Sequence, residues 1–320
     1  MKTFKIGILG LGTVGGGAYT ILTENKELIE SRTGCSIEIG RILDRYKKPG
    51  VPEYLFTEDP DDVLNSKDIN LVIETLGGIE PATSFMVQAM KQGKHVVTAN
   101  KAAVAVNYQL LQETAKANQV RFYFEASVGG GIPVLTAMQN ALQGNRFLEI
   151  MGIVNGTTNY ILTKMTEEGA DYADVLKDAQ AKGFAEADPT ADVEGIDVAN
   201  KLSILIALAF DTYIAPSDIP TIGISSITKA DIEQAAAEGC CLKLIAHASQ
   251  KEDGSVEAKV SPEKIPFTHP LAGVSDEFNA VYITGDMVGE LMFYGKGAGA
   301  LPTGSAIVGD VIRIMKEDGR

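Results

Sequence analysis

The stretch GFAEADPTADVEGIDVANK, from Gly183 to Lys201, gathers five carboxylates (Glu186, Asp188, Asp192, Glu194 and Asp197) ahead of a single lysine. Asp197 and Lys201 are i and i+4, the spacing that places two side chains on one face of a helix. On an exposed helix such a pair is an ordinary ion pair worth about 0.3–0.5 kcal/mol. The residues that follow, LSILIALAF, have no polar face beyond one serine. They predict a helix from Asp192 or a neighbour to about Phe210, covered on most sides. A lysine at the mouth of a buried helix is partly desolvated, which favours its neutral form and suits it to proton transfer. Asp197 would hold and orient the ammonium. Glu186, in the preceding loop, can grip a substrate ammonium. On this pattern alone, catalysis and a plain ion pair both stay open.

A second stretch suits a different chemistry. KIGILGLGTVGGG runs a short apolar strand, Phe4–Leu9, into Gly10-Leu-Gly12-Thr-Val-Gly15 and a helix predicted to reach about Glu30. This is the G-x-G-x-x-G fingerprint in its strand–turn–helix context. Gly10 makes the turn, Gly12 lets a pyrophosphate approach the backbone, and Gly15 lets helix and strand pack closely. The amides of Thr13 and Val14 open the helix, where an anion binds. The next strand, SIEIGRILD, ends at Asp44, placed to hydrogen-bond the ribose hydroxyls of NAD. Arg45, Lys47 and Lys48 follow, and they suit the 2′-phosphate of NADP or simply a solvated loop.

These residues need a scaffold. INLVIETL (69–76), KHVVTAN (94–100) and VRFYFEA (120–126) read as strands, with helical patterns at about 81–92 and 107–118. Alternating strands and helices predict an α/β fold, a Rossmann-type doubly wound parallel sheet. Ligands of such sheets sit beyond the carboxyl ends of the strands. That places Thr75 in ETLGG, Lys101 in TANK and the glycine loop EASVGGGIP at the cleft. The loop bares carbonyls, or is only a hinge. Further on, Asn155–Asn159 reads as a turn and a capped helix start. The region 240–293 alternates strand and turn signals, which predicts a mixed or antiparallel sheet. A glycine loop at 295–299 precedes a final helix from about Pro302. We therefore expect a nucleotide-binding domain over 1–132, completed by 302–320, and an α+β catalytic and dimerisation domain over 133–301.

The bulk numbers exclude other classes. The chain has 320 residues, enough for about two domains. A net charge of −14 argues against nucleic acid and against anionic membranes as partners. No apolar run approaches the roughly 20 residues of a membrane span, and glycines interrupt the N-terminal run too early for a signal peptide. Cys35, Cys240 and Cys241 imply no disulfide framework and fit a reducing cytoplasm. The three histidines, His95, His247 and His269, lack zinc-ligand spacing.

Over nearly its whole length the sequence resembles the homoserine dehydrogenases. The likeness rests on GLGTVGGG, TANK, EASVGGGIP, NGTTNYIL, GFAEADPTADVEGIDVANKLSILIALAF and GDMVGELMFYGKGAGALPTGSAIVGD. It implies an NAD- or NADP-dependent interconversion of L-homoserine and L-aspartate 4-semialdehyde, on the route from aspartate to threonine, methionine and isoleucine. It implies Lys201 as proton donor and acceptor with Asp197 as its partner, Glu186 and Asp192 at the substrate, and Lys101 near nicotinamide and substrate. It also implies Gly299 in the cofactor site. A monovalent cation, sodium or potassium, would sit on the backbone carbonyls of Glu125, Val128, Gly130 and Ile132. Homodimers or homotetramers built through the second domain's sheet are implied too. Many members carry an arginine just before the aspartate ending the second strand. Leu43 stands there and Arg45 follows, which leaves NAD and NADP both open. Many also carry a C-terminal regulatory domain. This chain ends after the last helix, so feedback inhibition through such a domain is not expected. Two alternatives share much of the pattern, another amino-acid dehydrogenase such as aspartate dehydrogenase and a non-catalytic dinucleotide sensor.

Overall fold

Phe4, Ile6, Ile8 and Leu9 are wholly buried on both faces of their strand, the signature of a central parallel strand rather than a half-wet one. The computed structural model describes residues 2–319. Its strands are β1 (Thr3–Leu9), β2 (Ser36–Leu43), β3 (Phe56–Thr57), β4 (Leu71–Glu74), β5 (His95–Thr98), β6 (Phe122–Tyr123), β7 (Phe147–Ile153), β8 (Cys240–Gln250), β9 (Val256–Pro266), β10 (Phe278–Gly285) and β11 (Gly289–Lys296). The chain divides into two units. The first runs to Gly131 and resumes at Ala298, and the second is Ile132–Gly297.

In the first unit six strands form one sheet in the order β3-β2-β1-β4-β5-β6, with every pairing parallel. The order reverses beside β1, which puts a ligand crevice at the carboxyl ends of β1 and β4. The first helix is shorter than its pattern suggests. It spans Thr13–Glu24, and a separate helix, Lys26–Thr33, follows a break at Asn25. The strand predicted over 120–126 contracts to two residues because the backbone leaves extended geometry at Phe124 and turns through Glu125–Ser127. The final helix, Ala300–Asp318, packs against the first. Ile307, Val311, Ile314 and Met315 join the core of Phe4, Ile6, Ile8 and Leu22. The approach is close enough that a Cβ on Gly17 would lie 1.9 Å from the carbonyl oxygen of Ala300.

In the second unit five strands pair in the order β11-β10-β7-β8-β9, antiparallel throughout. That resolves the open choice between a mixed and an antiparallel sheet. The helix Ile196–Ala209 is buried from Asp197 to Ala207 except at Asn200. It does not start near Asp192. A short turn, Thr190–Val193, comes first, and Gly195 then takes a left-handed φ of 80°. That conformation suits glycine and resets the chain direction before the helix. The helix Gly156–Glu168 begins at Asn155, whose side chain accepts the amide of Thr158. The helices Tyr172–Ala181 and Lys229–Ala237 are not foretold by the sequence reading, although Thr228 and Asp231 form a full capping box at the start of the latter. Among the described residues no helix is long and apolar enough to cross a membrane.

Candidate active site

The glycine loop of the first unit has the shape its spacing predicts. Gly10 takes a φ of 90°, and the Thr75 hydroxyl donates to its carbonyl at 2.7 Å. A Cβ on Gly15 would lie 2.1 Å from the Gly10 oxygen, whereas a Cβ on Gly12 would meet nothing within 4 Å. The loop is therefore packed where the fingerprint needs closeness and open where a pyrophosphate would approach, so these residues fit a dinucleotide. Thr13 and Val14 are the first two residues of the following helix.

A cleft of about 510 Å³ lies beside this loop, lined by Gly10, Gly12, Asp44, Arg45, Thr75 and Pro81 among others. A smaller one of about 230 Å³ is lined by Val14, Thr75, Gly77, Asn100 and Lys101 among others. Thr75 and Gly77 border both, as a ligand spanning the switch point requires. The Asp44 carboxylate accepts the amide of Leu11 at 2.6 Å and that of Tyr46 at 2.9 Å. It thus braces the glycine loop as well as facing the larger cleft. Arg45 lines that cleft. Lys47 is engaged by Glu53 at 2.8 Å, whereas Lys48 donates to the carbonyl of Gly12 at 3.3 Å. Gly299 caps the final helix with a φ of 121°.

Lys101 opens the helix Lys101–Val106 at the rim of the smaller cleft. Beneath that rim is Glu74, a buried carboxylate that sequence reading passes over. It accepts the Thr98 hydroxyl at 2.5 Å, the Leu76 amide at 2.8 Å and the Asn100 side chain at 3.5 Å. Burial pushes its pKa up, while these donors pull the other way. Asn100 also donates to the Gly78 carbonyl at 2.7 Å and caps the Lys101 helix. Glu74 therefore ties the ETLGG and TANK loops together. The only advance signal is an acid ending a strand that is otherwise wholly apolar.

The glycine loop after β6 turns twice through positive φ, at Gly129 and Gly130. The Glu125 carbonyl accepts Val128 N–H at a loose 3.4 Å and the Ile132 carbonyl accepts Val134 N–H at 2.9 Å. The Glu125 amide is anchored by Asp310 at 2.8 Å. Burial pushes the Asp310 carboxyl up to about 8. Among the described residues no group of three or more acidic, histidine or cysteine side chains can hold a metal. A cation here would rely on carbonyl oxygens, which suit a hard ion.

In the second unit Lys201 and Asp197 are 7% and 4% exposed, so the surface ion-pair reading does not apply. The Lys201 ammonium donates to Asp197 Oδ2 and to the carbonyl of Val154, both at 2.6 Å. Val154, just after β7, thus meets the second turn of the Ile196–Ala209 helix. Asn155, the cap, sends its Nδ2 to Asp192 Oδ1 at 2.7 Å and to Asp197 Oδ2 at 2.9 Å. The Thr157 hydroxyl donates to the Phe184 carbonyl at 2.6 Å and approaches Asp192 Oδ2 at 3.3 Å. Asp192, Asp197 and Lys201 are therefore gathered, and NGTT is part of the same cluster rather than only a helix start. Glu186 lies on the exposed loop before it, with its carbonyl held by Gln180. Its side chain is not drawn into the cluster.

Known proteins share this arrangement of sequence. The family model described as homoserine dehydrogenase matches residues 133–312, and that described as homoserine dehydrogenase, NAD binding domain, matches residues 10–125. A homoserine dehydrogenase of Bacillus subtilis is 44% identical over 320 residues, covering 99% of this chain and 74% of its own. The crystal structure of a homoserine dehydrogenase from Thiobacillus denitrificans superposes with a TM-score of 0.96 at 42% identity, covering all of this chain and 74% of that one. A hyperthermophilic archaeal homoserine dehydrogenase in complex with NADPH has a TM-score of 0.83 at 26% identity, covering 98% of each chain. Neither an aspartate dehydrogenase nor a non-catalytic sensor is favoured by these matches. The chain belongs to the homoserine dehydrogenase family of oxidoreductases.

Proposed function

We propose that this chain interconverts L-homoserine and L-aspartate 4-semialdehyde, with Lys201 moving the proton. The observation that carries the reading is the buried Lys201–Asp197 contact at 2.6 Å. When bound, the nicotinamide dinucleotide accepts or supplies the hydride. Gly10, Gly12, Gly15 and the amides of Thr13 and Val14 would hold its diphosphate. Thr75, Gly299 and Lys101 would complete the site that holds it. Asp44, Arg45 and Lys48 choose between a ribose hydroxyl and a 2′-phosphate, and NADPH in the archaeal relative makes NADP a working option beside NAD.

In oxidation the Lys201 amine takes the hydroxyl proton of homoserine as the carbinol carbon loses hydride. In reduction the ammonium returns that proton to the alkoxide oxygen. Asp197 and the Val154 carbonyl fix the direction of the ammonium. Asp192 and Glu186 receive the substrate's α-ammonium, Glu186 by swinging in from its exposed loop. The carbonyls of Glu125, Val128, Gly130 and Ile132 would hold sodium or potassium, which would stiffen that loop. Exposed Met292 and Tyr294 on the edge strand of the five-stranded sheet support assembly into a homodimer or homotetramer through that sheet.

The test is reduction of NAD or NADP by L-homoserine, followed by nicotinamide absorbance. Wild type should turn over, and Lys201→Ala should bind the dinucleotide and lose most turnover. A folded Lys201→Ala variant with wild-type kcat would overturn the assignment.

A further inference from the structure

Asn155 has two separable jobs in this fold. Its Oδ1 caps the Gly156–Glu168 helix, accepting the Thr158 amide at 2.9 Å and the Thr158 hydroxyl at 3.0 Å. Capping needs nothing more than that oxygen. Its Nδ2 carries two N–H groups. One goes to Asp192 Oδ1 at 2.7 Å and the other to Asp197 Oδ2 at 2.9 Å. The second acceptor is the same oxygen that receives the Lys201 ammonium at 2.6 Å. Turning the amide over would set a carbonyl oxygen against two carboxylates, so the network fixes its orientation.

We infer that Asn155 is a positioning residue for the reaction, a neutral double donor that fixes the side chains of Asp192 and Asp197 beside the Lys201 ammonium. This rests on the proton-transfer role proposed for Lys201. Asp192 and Asp197 both lie against the Asn155 amide, and an N–H donated to each fixes its direction without adding charge to the cluster. With the amide between them, Asp197 serves Lys201 and Asp192 is held for the substrate's ammonium. The amide also steers Asp197 Oδ2, and through it the direction in which the lysine presents its proton.

The test uses Asn155→Asp and Asn155→Ser in the full chain, because Asp, Ser and Asn are all competent caps. A role limited to capping leaves kcat and the pH profile of both variants near wild type. Positioning predicts near-native thermal unfolding and an unchanged KM for the dinucleotide, with kcat for homoserine oxidation lower by about 10²-fold, the scale of a misplaced catalytic group. In Asn155→Asp a third carboxylate holds the proton on Lys201, so the rising limb of the oxidation rate moves to higher pH. Wild-type kcat in either folded variant overturns the inference. So does lost turnover in Asn155→Asp with the limb unmoved, which would mean that only helix placement had suffered. If Asn155→Asp does not fold, Asn155→Ser decides on kcat. Lys201→Ala, assayed beside them, separates the two ideas. Full activity there refutes the proton-transfer reading itself, whereas an inactive Lys201→Ala beside normal Asn155 variants refutes only the positioning role.

Discussion

Replacing Lys201 by methionine keeps the volume of the side chain and removes its charge, taking from the buried Asp197 the ammonium it holds at 2.6 Å. The structure sets the size of the effect. At 2.6 Å the attraction is about 6 kcal/mol for an effective dielectric of about 20. Desolvation of both groups offsets much of that, and breaking one side of a buried pair usually costs about 3–5 kcal/mol. An exposed i,i+4 pair would lose only about 0.3–0.5 kcal/mol. Hydrogen exchange of peptides from the Ile196–Ala209 helix reads this locally, without assuming that both units unfold together. With about 1.4 kcal/mol per decade, we expect Lys201→Met to speed exchange by about two to three and a half orders of magnitude. The double variant Lys201→Met/Asp197→Asn removes both charges of the pair and should recover much of that loss, giving a coupling of at least about 1 kcal/mol. Exchange raised by only about twofold, with no coupling, would refute the argument that this pair is desolvated.

Three further predictions use other parts of the molecule. Gly17→Ala forces a Cβ to 1.9 Å from the Ala300 carbonyl oxygen, so it should cost about 1–3 kcal/mol or more, read as a lower Tm. Gly12→Ala meets nothing in the protein within 4 Å, so its Tm should hold. Its KM for the dinucleotide should rise by a factor equivalent to about 1–3 kcal/mol of crowding. The His247 ring meets Glu149 at 2.8 Å and lies 3.5 Å from Glu263, the latter also paired with Lys259, and the Glu263 carboxylate, ahead of Glu149, raises its pKa. Its contribution is therefore full below about pH 6.5, the unfolded value, and fades as pH rises through the higher folded value. His247→Gln should flatten the stability profile over that window, and an unaltered profile would count against the raised value.

Features legible in the sequence are those whose physical cause is local. Gly10, Gly12 and Gly15 answer demands made within a few residues and by one adjacent strand, so their spacing speaks for itself. Gly17 answers Ala300, far away along the chain, and its glycine looks redundant until the final helix is in place. LSILIALAF announced burial, but the start of its helix hinged on the left-handed turn at Gly195, which a run of acidic residues disguises. Asn155 reads as a cap because capping is a local pattern. Its second function needs Asp192 and Asp197 to arrive from another loop and another helix. Glu74 shows the reverse limit, since a carboxylate ending an apolar strand signals something unusual without saying that two loops will donate to it.

The close seating of the last helix on the first has a consequence for biosynthesis. A ribosome releases the glycine loop and its sheet early, but the helix that seals Ile8, Leu22 and their neighbours emerges only after the whole of Ile132–Gly297. The nascent nucleotide-binding unit must wait with an uncovered apolar face while Ile132–Gly297 is made. The later unit is an uninterrupted stretch of chain and can condense first, although domains more often mature from the N-terminus onward. Translation halted after β11, before the Ala300–Asp318 helix has left the ribosome, would then yield a finished second unit tethered to an unfinished first one, with the oily seat of the missing helix open to chaperones.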